Sequence, residues 1–341
     1  MEPQVALGKL VTGEALERAE MESLFGRLMD GEVADPLKSA LLVALRMKGE
    51  TAGEIAGAAA AMRRRAITIP HHRERVVDTC GTGGDGRGTF NISTAAAFVA
   101  AAAGVPVAKH GNRSVSSRSG SADVLAALGV DIEVTPEQAG RALDEIGIAF
   151  LFAPKLHPAM REVMPVRKLL GLRTVFNVLG PLTNPARARR QLMGVYAESL
   201  VEPITRVQAE LGADHALVVH GEDGLDEITT TGRTLVGEVR AGEVRVYHVT
   251  PEELGLPRAR LEDLAGGDPA ENAAALERVF GGETGPLADV TAANAGAAIF
   301  VGGAADSLSE GVVLAQRLLA DGSARAKLEA LRAYSRPGGA V

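Results

Sequence analysis

The segment DTCGTGGDGRGTFNIST, residues 78–94, has the residue types and spacing of a loop that binds an anion. The glycines that follow a predicted strand at its start include Gly81, Gly83, Gly84 and Gly86. Because glycine lacks a Cβ atom, backbone amides of such a loop can approach a negatively charged ligand. Asn91, Ser93 and Thr94 stand at the predicted start of a helix, where hydroxyls, free N–H groups and the helix dipole favour phosphate. The segment predicts a phosphate site, with a purely structural turn as the alternative.

A second polar loop, KHGNRSVSSRSGS at residues 109–121, follows the next predicted strand. Its cations and several of its hydroxyls come from Lys109, Arg113, Arg118, Ser116, Ser117, Ser119 and Ser121. In a parallel βαβ unit, the loops that follow neighbouring strands lie at the same edge of the sheet. Residues 86–122 also contain no Asp or Glu, although the chain has a net charge of −7. The two loops together predict a site for a ligand with several phosphate oxygens, and a solvated basic loop is the alternative.

Two further patterns suit a metal ion and a carboxylate ligand. Asp226 and Glu227 are adjacent in GLDEIT, after the apolar strand pattern HALVVHG. Such a pair can bind a hard divalent cation that also contacts substrate phosphates and the Ser93 hydroxyl. Segment 155–185 is predicted to be a helix followed by an irregular Gly/Pro/Asn turn, and its Arg167 can present a guanidinium fork to a substrate carboxylate. The alternatives are a solvated acidic pair and an ordinary surface arginine.

The elements that must hold these residues fall into two kinds. Residues 1 to about 70 place apolar side chains at steps of three and four, which predicts helices in LERAEMESLFGRLMDG, DPLKSALLVALRMKG and TAGEIAGAAAAMRRRA. From Arg75, short apolar runs alternate with helical patterns in RVVD, an alanine-rich helix, VPVAKH, SADVLAALG, VDIEV, PEQAGRALDEIG and IAFLFAP. This alternation predicts βαβ units and a parallel sheet.

A second α/β stretch begins near Gln191. It contains the strand patterns QLMGVY and HALVVHG and a predicted hairpin in TLVGEVRAGEVRVYHV, and the remaining C-terminal residues are mostly helical in pattern. We therefore predict an α/β protein in which a small N-terminal helical domain packs on a larger α/β domain with a mainly parallel central sheet. A cleft between the two parts is expected to hold the site.

Composition excludes several classes of protein. The 341 residues are 46% hydrophobic and 23% charged, which is typical of a globular protein. Cys80 is the only cysteine, so an intramolecular disulfide is excluded and a reducing cytoplasm is expected. A pI near 5.6 opposes nonspecific binding to nucleic acid or anionic membranes. The first residues lack a signal-peptide pattern, and the most apolar stretch, from Thr94, is too short to span a membrane.

Together these segments resemble the anthranilate phosphoribosyltransferase family, which catalyses the second step of tryptophan biosynthesis from chorismate. The resemblance covers essentially the whole chain and is carried by GTGGDGRGTFNIST, KHGNRSVSSRSGSADVLAALG, HPAMREVMPVRKLLGLRTVFNVLGPLTNP and GLDEIT. It implies a nucleoside phosphorylase/phosphoribosyltransferase-like fold. The helical domain would comprise residues 1–70, joined by a segment near 170–190, and an α/β domain at 71–341 would bind phosphoribosyl pyrophosphate. The resemblance further implies a homodimer formed largely through the helices, and an active site at the hinge.

The resemblance also assigns ligands residue by residue. The expected phosphoribosyl pyrophosphate site comprises Gly81, Gly84, Asp85, Thr89, Asn91, Ile92, Ser93, Thr94, Lys109, His110, Gly111, Asn112, Arg113, Ser114, Val115, Ser116, Ser117 and Ser121. The expected anthranilate site comprises Gly81, His110, Asn112 and Arg167, with Arg167 on the carboxylate. Ser93, Asp226 and Glu227 are expected to serve Mg²⁺, directly or through water. Arg161 stands where many relatives have lysine, an exchange that keeps the charge.

The aniline nitrogen of anthranilate is unprotonated at neutral pH, so no residue is assigned as a catalytic acid or base. His110 is expected to orient substrate, whereas His71, His72 and His157 are expected in structural or surface positions and Cys80 in packing. Two alternatives remain. A pyrimidine nucleoside phosphorylase shares the general architecture but uses different loop strings. A catalytically silent relative would bind nucleic acid through a basic groove, which the acidic composition opposes.

Overall fold

The computed structural model describes residues 1–114 and 118–336. Its first four helices form a bundle: α1 (Pro3–Val11), α2 (Arg18–Met29), α3 (Asp35–Lys48) and α4 (Ala52–Arg65). The three helices predicted from apolar spacing are confirmed as α2, α3 and α4. Their apolar faces pack in a hydrophobic cluster that includes Phe25, Leu41 and Ile55.

Glu54 links three parts of this bundle. Its carboxylate accepts a hydrogen bond from the Thr51 amide at 2.8 Å, while the Thr51 hydroxyl accepts one from the Glu54 amide at 3.2 Å. This reciprocal pair is a capping box that starts α4. The wholly buried carboxylate also accepts from Lys48 Nζ at 2.8 Å and from the Leu16 amide at 3.0 Å. Burial of this charge is therefore compensated by a cation and two backbone donors.

Within the described residues, seven strands form one sheet in the spatial order β3-β2-β1-β4-β5-β6-β7. The strands are β1 (Val77–Gly81), β2 (Val107–Gly111), β3 (Ile148–Phe152), β4 (Arg190–Gly194), β5 (His215–Gly221), β6 (Thr234–Arg240) and β7 (Glu243–Val249). Neighbours from β3 to β5 are parallel, whereas β5, β6 and β7 pair antiparallel. The predicted mainly parallel sheet is confirmed, as is the hairpin, whose two turn residues Ala241 and Gly242 both have positive φ.

The order of the strands creates a crevice. The chain runs outward from β1 to β3 on one side and from β4 to β5 on the other, so the connections diverge between β1 and β4. In open α/β sheets, ligands bind at such a point, beyond the carboxyl ends of the strands. Three segments follow strands at this same edge: the glycine loop that begins at Gly81, the second polar loop, and the acidic pair Asp226 and Glu227.

The two faces of the sheet pack on different layers. Leu192 and Leu217 face the cluster that contains α5 and α13, whereas their neighbours Met193 and Val218 face the helical bundle and α11. This alternation is the two-residue period of a β-strand buried on both sides. The remaining α-helices are α5 (Ile92–Ala102), α6 (Ser121–Ala127), α7 (Pro136–Glu145), α8 (Ala153–Leu156), α9 (Met164–Leu170), α10 (Phe176–Leu179), α11 (Val201–Glu210), α12 (Pro269–Phe280), α13 (Pro286–Gly302), α14 (Leu308–Ala320) and α15 (Ser323–Ser335).

Two local predictions need correction. The pattern VDIEV, residues 130–134, is not a strand: Val130 and Ile132 are buried, but the Asp131 amide donates to the Ser335 hydroxyl at 2.9 Å instead of to a neighbouring strand. Segment 155–185 is not one helix followed by a turn, but a series of short α- and 3₁₀-helices, because Pro158, Gly171 and Pro181 interrupt it.

None of the helices in the described part of the chain combines the length and the apolar character needed to cross a bilayer.

Candidate active site

The glycine loop is anchored to both strands that border the crevice. The Thr82 amide donates to the Gly194 carbonyl at the end of β4 at 2.9 Å, and the Thr82 hydroxyl accepts from the Tyr196 amide at 3.0 Å. Arg173 adds an anchor from the segment that follows α9. Its guanidinium donates to the Gly84 carbonyl and lies 4.0 Å from the centroid of the Tyr196 ring. The loop is therefore held by backbone and cation–π contacts before any ligand binds.

The acidic segment lies directly against the glycine loop because two positions lack side chains. A Cβ atom on Gly81 would overlap the Asp226 carboxylate, and one on Gly194 would overlap the Asp226 carbonyl. At this close approach, the Gly83 amide donates to Asp226 Oδ2 at 2.8 Å. The structure thus brings GLDEIT and the glycine loop together at the switch point of the sheet.

The carboxyl groups of this segment are buried close to one another, so their ionised forms repel each other. Burial raises the pKa of Asp226 to about 6, and the nearby Asp85 carboxylate adds to the rise. Burial and the Asp226 charge raise the pKa of Glu227 well above its ordinary value. The Lys109 charge and a hydrogen bond from the Ser93 amide favour ionised Glu227 but offset these effects only in part. Such a cluster favours a cation.

Lys109 lies beneath the start of α5 and is only 4% exposed, rather than standing in an open loop. Its Nζ donates to the Thr79 carbonyl at 2.5 Å and to the Ser93 hydroxyl at 3.2 Å. Burial lowers the pKa of Lys109, while the Asp78 and Glu227 carboxylates oppose that shift. Its charge therefore acts at the helix start, next to the acidic segment.

The oxygen atoms of the acidic pair and of Ser93 suit a divalent cation that takes the rest of its coordination shell from a substrate. Within residues 1–114 and 118–336, no three Asp, Glu, His or Cys side chains form a group that could hold a metal by themselves. Mg²⁺ commonly takes one or two carboxylates and completes its shell with waters and phosphate oxygens. Asp226 and Glu227 supply such an incomplete set of oxygen ligands. The Ser93 hydroxyl belongs to the helix start whose amide contacts Glu227.

Asp123 closes the second loop, and sequence reasoning missed it. Its carboxylate accepts hydrogen bonds from the Ser114 amide at 2.9 Å, the Gly120 amide at 3.0 Å and Arg113 Nη1 at 3.0 Å. Although burial opposes the shift, these donors lower the pKa of Asp123. The available signal was its place three residues after Gly120 at the start of α6, where an acidic side chain can accept from the N-cap amide. The predicted site residues Val115, Ser116 and Ser117 lie outside the described residues.

The other residues predicted to bind phosphoribosyl pyrophosphate surround the start of α5 and the base of the second loop. Asn91 Nδ2 donates to the Ser119 carbonyl at 3.3 Å, which connects these two places. The Asn112 carbonyl accepts from the Ser121 hydroxyl at 3.3 Å, and Thr89 pairs with Ala265 in an antiparallel bridge. Two predicted residues have buried side chains beneath this surface: Ile92 and Thr94. The Thr94 hydroxyl has no hydrogen-bond partner within the described chain.

Asp78 is a second residue that sequence reasoning missed. Its Oδ1 accepts from the His110 amide at 3.0 Å, and its Oδ2 accepts from Gln191 Nε2 and Cys80 Sγ, each at 3.3 Å. Burial raises the pKa of Asp78 and raises that of the Cys80 thiol well above its ordinary value. Cys80 is thus buried, as expected, and poorly suited to act as a thiolate nucleophile.

His110 and His157 form a buried pair in which the two Nε2 atoms lie 3.2 Å apart. Burial, together with the His157 charge, lowers the pKa of His110 to about 3, and burial lowers that of His157 to about 4. Both rings are therefore neutral at pH 7, and one donates to the other. A neutral pair at the end of β2 can orient a ligand but is a poor source of protons.

Within residues 1–114 and 118–336, the Arg167 charge has no acidic partner. The contacts of its guanidinium within the described chain are the Met164 sulfur at 3.8 Å and the Phe176 ring, whose centroid is 5.3 Å away. Burial lowers the pKa of Arg167, which remains protonated at neutral pH. A half-buried guanidinium in this setting is suited to a ligand carboxylate.

Comparison with known proteins identifies the family. The helical bundle domain of the glycosyl transferase family matches residues 4–66, and the a/b domain of that family matches residues 73–325. An anthranilate phosphoribosyltransferase from Symbiobacterium thermophilum is 53% identical over 329 residues, which cover 96% of each chain. The chain belongs to the anthranilate phosphoribosyltransferase family.

Solved structures of anthranilate phosphoribosyltransferases share the fold. The enzyme from Thermus thermophilus superposes with a TM-score of 0.93 at 51% identity, covering 97% of this chain and 99% of that chain. The enzyme from Saccharomyces cerevisiae in complex with PRPP and Mg has a TM-score of 0.87 at 28% identity, with 96% of each chain covered. Another structure of the yeast enzyme contains 4-fluoroanthranilate. The predicted resemblance and fold class are confirmed.

Proposed function

We propose that this site transfers the 5-phosphoribosyl group of phosphoribosyl pyrophosphate to the amine of anthranilate, giving N-(5-phosphoribosyl)anthranilate and pyrophosphate. The reaction is the second step of tryptophan biosynthesis from chorismate. One observation carries the proposal: a buried acidic pair and a glycine loop meet at a helix start, next to a segment whose Arg167 has no acidic partner within the described residues. The link between them is Arg173, which follows Arg167 in the chain and contacts the glycine loop at Gly84.

The donor binds along the glycine loop, the start of α5 and the second loop. Backbone amides of the loop and of the helix start bind phosphate oxygens, as the exposed N–H groups of such elements commonly do. Lys109 supplies positive charge at the start of α5, because its Nζ donates a hydrogen bond to the Ser93 hydroxyl. Asp123 accepts hydrogen bonds from the Ser114 and Gly120 amides and so ties two described parts of the second loop together.

Ser93, Asp226 and Glu227 would hold Mg²⁺, directly or through water. When bound, the ion supplies positive charge that stabilises pyrophosphate as it leaves the sugar. The chain itself fixes the Asp226 carboxylate through the Gly83 amide and the close approach at Gly81.

Anthranilate binds between the glycine loop and the segment that contains Arg167. Arg167 binds its carboxylate, because a guanidinium fork matches the two carboxylate oxygens. His110 and Asn112, at the end of β2, orient the ring and the amine. The backbone of His110 is fixed for this purpose by its amide hydrogen bond to Asp78.

The chemistry exchanges one bond for another at the anomeric carbon of the ribose. The C–O bond to pyrophosphate breaks, the C–N bond to the aniline nitrogen forms, and the nitrogen loses one proton. The ribose acquires oxocarbenium character while pyrophosphate gains charge, so alignment of the amine and stabilisation of the leaving group are the main tasks of the protein. With pKa values of about 3 and 4, the two histidines are neutral and serve to orient the ligand.

We also infer the assembly and location from the resemblance. Residues 1–70 form a helical domain, joined near residues 170–190, and residues 71–341 form the α/β domain. A homodimer forms largely through the helices, which is supported by Val5, Val11 and Met47, apolar side chains more than half exposed on α1 and α3. The enzyme acts in the cytoplasm without nucleic acid or membrane partners. Light scattering coupled to size-exclusion chromatography tests the dimer.

The function is tested by mixing the purified protein with anthranilate, phosphoribosyl pyrophosphate and Mg²⁺ and following anthranilate fluorescence. We expect a Mg²⁺-dependent decay, with one pyrophosphate released for each anthranilate consumed. Folded protein that leaves anthranilate unchanged but cleaves uridine or thymidine with phosphate would instead be a nucleoside phosphorylase. A salt-sensitive gel shift without either activity would favour the nucleic-acid alternative.

A further inference from the structure

Helices α12 and α13 are distant in sequence from the substrate loops, yet each directs one buried asparagine toward them. Asn272 of α12 is 2% exposed, and Asn294 of α13 is fully buried. We propose that both are positioning residues, with Asn294 fixing the metal-binding carboxylates and Asn272 fixing the start of the donor-binding helix. This inference rests on the proposed function, whose donor and metal sites these residues serve.

Asn294 holds the backbone directly after the acidic pair. Its Oδ1 accepts from the Ile228 amide at 2.9 Å, and its Nδ2 donates to the Ile228 carbonyl at 2.9 Å. The same Nδ2 donates to the Val290 carbonyl, also at 2.9 Å. One side-chain amide thus binds both backbone groups of a single residue, as a neighbouring strand does in a sheet.

This contact restrains Glu227 because the Ile228 amide belongs to the peptide unit that joins the two residues. A peptide unit is planar, so a hydrogen bond to its N–H group fixes the orientation of the Glu227 carbonyl as well. On the other side, Asp226 is confined by Gly81 and Gly194, where a Cβ atom would overlap it. The acidic pair is therefore clamped from the crevice side and from the core side.

Asn272 performs the corresponding task at α5. Its Nδ2 donates to Asn91 Oδ1 at 2.9 Å, and its Oδ1 accepts from the Gly267 amide at 2.7 Å. Asn91 immediately precedes α5 and also donates to the Ser119 carbonyl. The Asn272 contact therefore fixes the orientation of a side chain that links the helix start to the second loop.

The position of Asn294 argues for a purpose beyond packing. Every residue of α13 from Val290 to Gly302 is buried, so an apolar side chain would suit position 294. A buried amide costs free energy unless its polar atoms are paired, and its pairing here serves one loop residue. Thr291, one turn earlier and equally buried, bonds only within its own helix, to the Leu287 carbonyl at 2.7 Å. Thr291 is therefore a matched control.

The test compares Asn294→Leu with Thr291→Val, and Asn272→Leu with Leu276→Val, a buried position one turn further along α12. Mn²⁺ binding is measured by electron paramagnetic resonance with phosphoribosyl pyrophosphate present and anthranilate absent, so that no turnover occurs. Donor binding is measured by titration calorimetry, the Michaelis constant for anthranilate by the fluorescence assay, and stability by thermal unfolding.

We expect Asn294→Leu to weaken Mn²⁺ binding by about ten-fold or more, as loss of a group that orients a metal ligand commonly does. Asn272→Leu should weaken donor binding by about ten-fold, because an unanchored Asn91 leaves the helix start misaligned. The control variants should lower the unfolding temperature yet keep both affinities within about two-fold of wild type, since the Thr291 hydroxyl bonds to its own helix and the Leu276 side chain has no polar group. The Michaelis constant for anthranilate should remain within about two-fold in all folded variants.

Wild-type affinities in both asparagine variants, or losses matched by their controls at equal stability, would overturn the positioning role. If Asn294→Leu does not fold, Asn294→Ser is held to the same criterion, because it removes the paired amide while keeping a small polar group. A wild-type protein that binds Mn²⁺ and donor but leaves anthranilate unchanged would sink the proposed function alone. The positioning role would then still be decided by the binding measurements.

Discussion

The proposed donor half of the site, which would bind phosphoribosyl pyrophosphate and Mg²⁺, differs from the proposed acceptor half, which would bind anthranilate, in how its charged and polar groups are paired. In the donor half, the Gly83 amide, the Lys109 ammonium and the Asp123 carboxylate already have protein partners. In the acceptor half, the Arg167 guanidinium contacts a sulfur and an aromatic ring but no neutralising acid within the described chain. The donor half is therefore preorganised by its backbone, whereas the acceptor half keeps one charge available for its ligand. Substitutions in the donor half should therefore disturb its geometry and its metal binding. Substitutions in the acceptor half should affect the binding of anthranilate alone.

The largest effect is expected from Asp226→Asn combined with Glu227→Gln, which removes the charge of the donor half. The rate of this variant should no longer depend on Mg²⁺, and its kcat/KM should fall at least about a hundred-fold. Preorganised stabilisation of the charge on a leaving group commonly raises the rate by that factor. Initial rates against Mg²⁺ concentration measure the effect. Glu222→Gln, in the same loop but exposed and paired with Arg233, is the control and should behave as wild type. A normal metal-dependent rate in the double variant would refute the assigned role.

Gly194→Ala should break the donor half through geometry alone. The new Cβ atom would overlap the Asp226 carbonyl, so the acidic segment must move away from the glycine loop. We expect a loss of about 2 kcal/mol in the free energy of unfolding, typical of overpacking, together with weaker donor binding. Urea denaturation and calorimetry check this. Gly180→Ala, where a Cβ atom meets nothing within 4 Å, serves as the control; equal stability of the two variants would contradict the close approach.

Arg167→Ala should affect only the acceptor half. Loss of a charged hydrogen-bonding partner should raise the KM for anthranilate by about ten-fold while the KM for the donor stays near wild type. Steady-state kinetics with each substrate varied in turn separate the two constants. Lys168→Ala, the exposed neighbour in α9, is the control. Equal increases in both constants would show that Arg167 supports the site generally rather than binding anthranilate.

The smallest effect concerns the pH dependence of stability at the junction of the halves. The pKa of His157 is lowered to about 4 in the folded protein from its ordinary 6.5. Stability from this neutral ring is fully present above pH 6.5 and is lost as the pH falls, because the unfolded chain then binds a proton that the folded chain excludes. Between pH 7 and 5.5, His157→Gln should lose about 1 kcal/mol less stability than wild type. Urea denaturation at both pH values measures this difference.

His248→Gln is the control for this pH experiment, because His248 lies exposed on β7, whereas the exposed His72 is paired with Asp144. It should retain the wild-type pH dependence. If His157→Gln and wild type lose equal stability on acidification, the neutral buried pair is not present in solution.

Much of the fold could be predicted from local patterns. The period of the apolar residues was sufficient for α2, α3 and α4, and the alternation of strands and helices was sufficient for the parallel sheet. The segment VDIEV shows where this reasoning fails. Its apolar residues alternate as in a strand, but its amide at Asp131 is bound by Ser335, which is remote in sequence. Tertiary contacts of this kind override local propensity.

The same limit explains which parts of the site could be predicted. Residues that face ligands cluster in glycine-rich and polar strings, so their types and spacing are visible in the sequence. Asp78, Asn272 and Asn294 were missed because each bonds to a residue that is far away in the chain: His110, Asn91 and Ile228, respectively. Arg173 was missed because its cation–π contact with Tyr196 exists only after folding. Residues that position a site are thus harder to recognise in the sequence than the residues proposed to contact its ligands.

The most direct test of the difference between the halves is calorimetric binding of phosphoribosyl pyrophosphate in the absence of anthranilate. It should be measured with and without Mg²⁺ for wild type, Arg167→Ala and the Asp226→Asn, Glu227→Gln double variant. We predict Mg²⁺-dependent binding of similar affinity in wild type and Arg167→Ala, and loss of the Mg²⁺ dependence in the double variant. Donor binding that weakens equally in Arg167→Ala and in the double variant would contradict the separation of the site into a preorganised donor half and an acceptor half.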